Sequence, residues 1–201
     1  MRALNFAFLK LDTLWFSVNA QQYCVVAGGD TQNDNIANVT FAGINNTTTT
    51  HPGYNDFTDL VAQVAQGEQQ QLSVTINAFS EGNDYVYAFI DWNGNGTLDD
   101  AGEVYTLATY TSSIGPHALN VTVPNDAVSG NIRMRIIVAY IRPIPDPCMN
   151  LNYGEVEDYT ISITPPLAAC PTGDFTFTTQ AEIDAFGATY GHCTEIPGNV
   201  F

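Results

Sequence analysis

The residues that follow position 90 carry most of the side-chain oxygens in this sequence that could bind a cation. Residues 91–99 have the pattern D-x-N-x-N-G-x-x-D, and further acids follow. Oxygens at the first, third and fifth positions of a tight loop converge on one point, and a backbone carbonyl and a closing acid complete the shell. The pattern therefore predicts a calcium loop. Its expected ligands are Asp91, Asn93, Asn95, Thr97, Asp99, Asp100 and Glu103.

The same loop has a second interpretation as a simple hairpin turn. Asn-Gly, the dipeptide that type I′ turns favour, occurs at residues 93–94 and 95–96. Such a turn requires neither Asp91 nor the acids at 99–100. An EF-hand is a poor match, because Gly102 stands where that loop needs a bidentate Glu. The sequence favours a calcium loop between two strands, with an affinity on the order of micromolar to millimolar.

The charge balance supports a divalent cation as counter-charge. The chain has 21 acidic and five basic residues, a net charge of -16. No Lys or Arg lies between Lys10 and Arg133, so the intervening acids must be solvated or neutralised by a metal, for which calcium is best suited. Nucleic acids and anionic membranes require clustered cations and are disfavoured as partners. No segment beyond the first twenty residues is long and apolar enough to span a bilayer.

A second acidic cluster lies in the sequence GEVED. In a strand, Glu155 and Glu157 share the apolar face, which is costly unless each carboxylate has a partner. The expected partners are Arg133 and Arg135, which form an arginine–carboxylate ladder between neighbouring strands. Two alternatives stay open: a catalytic acid and base, or a metal-binding role for Glu157 or Asp158.

Other signs of catalysis are missing from the sequence. No metalloprotease, serine hydrolase or phosphate-loop motif occurs. The three histidines are far apart, at His51, His117 and His192. We therefore predict that the protein is not an enzyme.

Short apolar segments separated by turn residues occupy residues 21–164. Gln71–Ser80 alternates between apolar and polar residues and predicts a half-buried strand, whereas Tyr85–Ile90 is apolar on both faces and predicts a central one. Further strands are predicted at 35–44, 104–110, 117–123, 131–141 and 155–164. Within this part of the chain, only residues 56–64 indicate a helix, of a turn or two at most. The pattern predicts an all-β fold, an antiparallel β-sandwich of Ig-like or jelly-roll type.

The two ends of the chain differ from this middle part. Residues 1–20 predict a secretory signal peptide, with a non-native leader as the alternative. The two prolines in residues 165–169 predict a stiff linker. A capping box at Thr179–Glu182 opens a short helix within residues 170–201. This last segment is too small for a core of its own, and we expect a short α/β fragment, the truncated start of a second domain.

Four cysteines, too widely spaced for a zinc site, favour an oxidising compartment and hence a secreted or cell-surface protein. Several motifs also recur in order. They are YC (23–24), GYNDFTD (53–59), FIDWNGNGTLDDAGE (89–103), VP (123–124), IRMRI (132–136), Cys148 and GEVEDYTISI (154–163). The set resembles the GEVED domain of secreted bacterial proteins. That resemblance implies a noncatalytic sandwich module of a larger protein and a disulfide between Cys24 and Cys148.

Residues 170–201 are similar to the start of a leucine-rich, receptor-L-like repeat domain, and this resemblance implies a disulfide between Cys170 and Cys193. The expected function of the whole is a noncatalytic, calcium-stabilised extracellular binding, adhesion or spacer module, monomeric, with a glycan or protein ligand. The alternative is a carbohydrate-binding module of a secreted hydrolase or protease. Its candidate sugar-stacking aromatics are Tyr54, Trp92 and Tyr153.

Overall fold

A computed structural model describes residues 22–78, 82–166, 168–191 and 193–199. The predicted signal peptide or leader at residues 1–20 lies outside these residues, as does His192. No helix in the described ranges has the length and apolar character needed to cross a membrane.

Nine strands and one helix make up the described chain. In chain order they are β1 (Asn35–Phe41), β2 (Ile44–Thr47), β3 (Tyr54–Ala65), β4 (Gln69–Asn77), β5 (Asp84–Ile90), β6 (Val104–Thr111), β7 (His117–Thr122), β8 (Gly130–Tyr140), β9 (Gly154–Thr164) and α1 (Gln180–Tyr190). They form a four-stranded sheet in the order β2-β1-β4-β7 and a five-stranded sheet in the order β3-β9-β8-β5-β6. The predicted β-sandwich with a short helix near the C-terminus is confirmed.

One edge of the five-stranded sheet departs from the prediction. Residues 56–64, which were expected to be helical, belong to β3, and β3 pairs with β9 in parallel. The sheet is therefore mixed, and the prediction of a helix is wrong. The pairing shifts register between Phe57 and Val61, so that several polar residues face solvent at this edge. Pairing with β9 supplies hydrogen bonds that a short isolated helix lacks, since a helix of one or two turns is marginal in water.

The main core lies between the two sheets. Alternate residues of β4 (Leu72, Val74 and Ile76) are fully buried, and they pack in one cluster with the inward residues of β8 and β9. Period-two alternation places one side of each strand in this core. The two layers are held together by the burial of apolar surface, which contributes about 25 cal/mol of free energy per Å² removed from water.

A second, smaller core covers the outer face of β5. Tyr87 and Phe89 point away from the main core and pack against Val26, Met149 and Leu151. This explains why β5 is apolar on both faces, as the sequence predicted. Two segments form the cover, one before β1 and one before β9, and the Cys24–Cys148 disulfide joins them.

Candidate functional site

The predicted calcium loop connects β5 to β6 and turns around the carboxylate of Asp91. Asp91 is fully buried; its Oδ1 accepts the N–H of Asn95 at 3.0 Å and its Oδ2 accepts that of Gly96 at 2.9 Å. The hydroxyl of Tyr23 also donates to Oδ2, at 2.9 Å. Gly94 and Gly96 have φ of 68° and 87°, a left-handed conformation that glycine adopts without strain.

The two asparagines of the loop bridge the backbone and an acid. The Nδ2 atoms of Asn93 and Asn95 both donate to Asp100 Oδ2, at 2.8 and 2.7 Å, and these bonds lower the pKa of Asp100. Their Oδ1 atoms accept the N–H groups of Asn95 and Thr97, at 3.0 and 2.7 Å. The side-chain oxygens of the first, third and fifth loop positions therefore all accept backbone N–H groups of the loop, although both asparagines are exposed.

Glu103 closes the loop, and among the described residues one of its oxygens has no hydrogen-bond donor. The side chain is 2% exposed, and Oε1 accepts the N–H of Asn93 at 3.3 Å. Oε2 is buried and accepts no hydrogen bond within the part of the chain that the structure describes. Burial, together with the nearby charges of Asp91 and Asp100, raises the pKa of Glu103. A buried carboxylate oxygen without a donor costs about 1–3 kcal/mol, so this position is suited to a cation.

Most of the predicted ligands are brought together, but not all. Asp91, Asn93, Asn95, Asp100 and Glu103 share one network, while the side chain of the remaining acid, at position 99, is exposed and makes no hydrogen bond among the described residues. In those residues no three Asp, Glu, His or Cys side chains are placed to hold a metal alone. Amide and carbonyl oxygens would have to complete a calcium shell, as they commonly do. The calcium site stays a prediction.

The alternative of a two-residue hairpin turn is wrong, because residues 91–103 separate the paired strands. Glycines at 94 and 96 do turn the chain, but within a longer loop that folds around the buried carboxylate of Asp91.

The predicted arginine–carboxylate ladder has a different acid from the two expected. Arg135 donates from Nε and Nη2 to the two oxygens of Asp158, at 2.7 and 2.8 Å, and Arg133 Nη1 donates to Asp158 Oδ2 at 2.6 Å. Pairing with Glu155 and Glu157 is therefore wrong. The β8–β9 register places Arg135 opposite Asp158, and alternation then turns both glutamates to the other face of the sheet.

Arg135 also hydrogen-bonds to both segments that cover the second core. It is 2% exposed, and it donates from Nη1 to the carbonyl of Pro147 at 2.7 Å and from Nη2 to that of Cys24 at 3.2 Å. The guanidinium of Arg133 lies over the ring of Tyr23, 4.7 Å from its centroid. No sequence pattern indicated that Tyr23 joins the arginine cluster to the acidic loop.

The two buried glutamates of β9 have separate sets of neutral or weakly basic donors. Glu155 Oε2 accepts the N–H of Ile36 at 2.8 Å and lies 2.9 Å from Nδ1 of His51, while Oε1 accepts from Asn55 at 2.8 Å. Ile36 belongs to the opposite sheet, so this carboxylate links the two layers. Burial is the main cause that raises the pKa of Glu155.

Glu157 accepts hydrogen bonds from the hydroxyls of Thr48, at 2.7 Å, and Tyr159, at 2.6 Å. Burial raises the pKa of Glu157 to about 7. Both glutamates are fully buried, and their oxygens already have donors. This arrangement favours a structural role over that of an acid and base acting on a substrate, which would need access to the pair.

The three aromatic candidates for sugar stacking have different environments. Trp92 is 4% exposed, and its Nε1 donates to the hydroxyl of Tyr105 at 2.8 Å, so it packs in the core. Tyr54 is partly buried and donates to Asp158 at 3.0 Å. Tyr153 is 52% exposed and is the member of this group that lies at the surface.

Both disulfides implied by the resemblances are present. Cys24 pairs with Cys148 and Cys170 with Cys193. The predicted capping box is confirmed at Thr179, and α1 then continues to Tyr190. Within this C-terminal part, Phe186 packs against three neighbouring aromatic rings. A repeat domain beginning here stays a prediction.

The comparisons with known proteins concern the sandwich. Residues 85–162 match the model of the GEVED domain family, a range that runs from β5 into β9 and contains both the acidic loop and the arginine cluster. Strands β1–β4 precede the match but pair within the same two sheets. No curated protein matches the chain. A GEVED domain is thus detected at residues 85–162 of this chain.

Proposed function

We propose that the sandwich is a noncatalytic, calcium-stabilised module for binding or spacing in a larger secreted or surface protein. The single observation that carries the calcium part is the buried, unpartnered Oε2 of Glu103 beside the carboxylate of Asp91. A divalent ion held between the buried carboxylates of Asp91 and Glu103 would offset both their burial and their mutual repulsion.

The residues of the loop carry the types of ligand atom that calcium prefers. Asp91, Asn93, Asn95 and Glu103 offer hard oxygen ligands, and the carbonyl of Thr97 and the nearby acids at 99 and 100 would add to them. Bound calcium would supply the positive charge that this stretch of sequence lacks. The chain's contribution is to hold the oxygens in place through the backbone hydrogen bonds to Asp91 and the asparagines.

An extracellular setting is supported by the disulfides. Both cysteine pairs are bonded, and the described chain has no free cysteine. Such bonds persist in oxidising compartments. The Cys24–Cys148 bond closes a long loop, with a sequence separation of 124, that contains most of the GEVED match.

The proposal that the module is noncatalytic is supported by the burial and the hydrogen bonding of the acids in β9. The carboxylates of Glu155, Glu157 and Asp158 are fully buried, and each accepts from several donors. The carbohydrate-binding alternative retains Tyr153 alone at the surface, since Trp92 and Tyr54 are engaged elsewhere. A glycan array with no signal above background would remove that alternative.

Thermal unfolding with and without calcium tests the proposal. At a calcium concentration 100 times the dissociation constant, binding stabilises the folded state by about 2.7 kcal/mol. For a chain of this size that raises Tm by about 5–10 °C relative to the same sample in EDTA. Glu103→Gln keeps the shape of the side chain and should lose most of this shift.

Asp59→Asn is the matched control, because it removes one negative charge from an exposed position of β3, away from the loop. It should keep the full calcium-dependent shift. Equal melting curves in calcium and EDTA would contradict the calcium proposal, as would an undiminished shift in Glu103→Gln.

A further inference from the structure

Two consecutive Asn-Gly steps lie in the acidic loop between β5 and β6. Asn93 precedes Gly94 and Asn95 precedes Gly96, and the pair Asn-Gly occurs nowhere else in the sequence. Both asparagines are exposed. The backbone nitrogen of glycine is the least hindered by a side chain, so these two steps are where the chain can react most readily with its own carboxamides.

The reaction available at such a step is deamidation through a cyclic imide. The backbone nitrogen of the glycine forms a bond to Cγ of the preceding asparagine, the Cγ–Nδ2 bond breaks, and ammonia leaves with the proton that the glycine nitrogen has lost. Water then opens the imide ring at one of its two carbonyl carbons, which gives aspartate or isoaspartate. An amide and water thus become a carboxylate and ammonium, without an oxidant or a reductant.

The folded loop holds the two attacking nitrogens through Asp91. The N–H of Gly96 donates to Asp91 Oδ2 at 2.9 Å, and the N–H of Gly94 donates to the backbone carbonyl of Asp91 at 3.3 Å. Asp91 is fully buried. The glycine nitrogen attacks after losing its proton, and a buried carboxylate beside it opposes that loss, because a second negative charge would form next to the first. Asp91 therefore protects the Asn95-Gly96 step.

The carboxamides that would be attacked are held as well. Asn95 Oδ1 accepts the N–H of Thr97 at 2.7 Å, and Asn95 Nδ2 donates to Asp100 Oδ2 at 2.7 Å. Asn93 has the same arrangement, with the N–H of Asn95 at 3.0 Å and Asp100 Oδ2 at 2.8 Å. Bonds at both polar atoms restrict the rotation that brings the carboxamide carbon to the glycine nitrogen. Attack is therefore favoured in an open loop.

We propose that Asn95, and with it Asn93, is a site of spontaneous deamidation that Asp91 holds back while the loop is closed. The modified chain then accumulates with the time that the loop spends open. This inference goes beyond the proposed function, and the protecting hydrogen bonds belong to the chain itself and require no calcium.

The product closes the loop less well than the original residue. Asp100 Oδ2 accepts from both carboxamides, and these hydrogen bonds lower the pKa of Asp100. A carboxylate at position 95 has no N–H to donate, and it brings a second negative charge to the same oxygen. Isoaspartate also adds a carbon to the backbone, which displaces the N–H of Gly96 from Asp91. Deamidation therefore favours the open loop, so that one event speeds the next.

The test compares the folded chain with a synthetic peptide of residues 89–104, both incubated with EDTA in the same mildly alkaline buffer. Peptide mapping by mass spectrometry follows aspartate and isoaspartate at positions 93 and 95 over time. The peptide has the same Asn-Gly steps and the same Asp91 but lacks the folded loop. We expect deamidation at Asn95 to be at least about tenfold slower in the folded chain, a factor that corresponds to about 1.4 kcal/mol of activation free energy.

Two variants of the folded chain locate the protection. Asp91→Asn keeps the shape of the side chain and removes the negative charge that accepts from Gly96, so deamidation at Asn95 should be about tenfold faster. The amide hydrogen of Gly96 should exchange faster by a similar factor, because the same nitrogen must lose its proton. Asp59→Asn is the matched control, since it makes the same change at an exposed position of β3, outside the loop. It should leave both rates unchanged.

A third variant reproduces one product of the reaction. Asn95→Asp should lower Tm in EDTA by about 2–4 °C, because it removes a donor from Asp100 and adds a like charge. Asn120→Asp makes the same change at an exposed position of β7 and should leave Tm unchanged.

Equal rates at Asn95 in the peptide and in the folded wild-type chain would overturn the proposal, and this comparison requires no variant to fold. Slower deamidation in Asp91→Asn would also overturn it, because Asp91 would then act as a base that assists the glycine nitrogen. An unchanged Tm in Asn95→Asp would contradict the effect assigned to the product. Every sample contains EDTA, so these outcomes are independent of whether the calcium proposal holds.

Discussion

Replacing Arg135 by Met should destabilise the sandwich far more than the same change at Arg133. Arg135 is 2% exposed, and it donates five hydrogen bonds: two to Asp158, one each to the carbonyls of Pro147 and Cys24, and one to the sulfur of Cys24. Among the described residues, the change leaves the fully buried Asp158 with donors from Arg133 and Tyr54 alone. It also removes the hydrogen bonds that join β8 to the two segments covering the second core, at the carbonyls of Pro147 and Cys24.

The magnitude follows from the burial of the pair. Removing one partner of a buried ion pair costs about 3–5 kcal/mol, because the remaining charge stays buried. For a chain of this size that lowers Tm by about 6–20 °C. Arg133 has a side-chain exposure of 22%, and its loss should cost about 1 kcal/mol, from one partly exposed ion pair and one contact with the ring of Tyr23.

Urea unfolding followed by tryptophan fluorescence suits the measurement, since Trp92 is buried in the main core. Both disulfides should be kept intact, and the slope of the free energy of unfolding against urea should match between the variants. Equal losses for Arg135→Met and Arg133→Met, or a loss below about 1 kcal/mol for Arg135→Met, would refute this account of the cluster.

Two further outcomes follow from the cysteines and from Asp84. Replacing Cys24 and Cys148 together by Ser should lower the free energy of unfolding by about 5 kcal/mol, because their sequence separation is 124; unchanged urea midpoints would contradict this. Burial, then the charge and the hydrogen bond of Asp34, raise the pKa of Asp84 to about 7, so the folded chain binds a proton that the unfolded chain releases near pH 4, and stability should fall as pH rises from about 4 to 7. Asp84→Asn should flatten this fall and be more stable by about 1–4 kcal/mol at pH 8; melting curves between pH 4 and 8 with parallel profiles would argue against it.

Much of the fold could be read from the sequence because its strands are short and strongly patterned. Seven of the nine strands were predicted within a few residues, and β5 was recognised as central from apolar residues on both faces. The failure at residues 56–64 has a clear cause. β3 is rich in polar residues and lies at a sheet edge, so local pattern carried little information, and pairing with β9 decided its structure.

The candidate sites were predicted less evenly. The ligand-rich loop was located from spacing alone, because its residues are close in sequence and turn on glycines at fixed positions. The arginine cluster was found, but with the wrong acids. Alternation within each strand places the arginines of β8 on the face opposite the core residues Ile132, Met134 and Ile136, whereas the two glutamates share the core face of β9. The register of β8 against β9 then brings Arg135 opposite Asp158.

The sequence by itself determined the sandwich class, the acidic loop after β5 and, through the motifs that it shares with a known family, the cysteine pairs. Each of these depends on residues close in the chain or on a recurring motif order. Only the tertiary structure decided that Asp158 is the partner of Arg133 and Arg135, and that Asp34 meets Asp84 beside two tyrosines. These contacts join segments far apart in sequence, and their geometry comes from sheet register and from the packing of one sheet on the other.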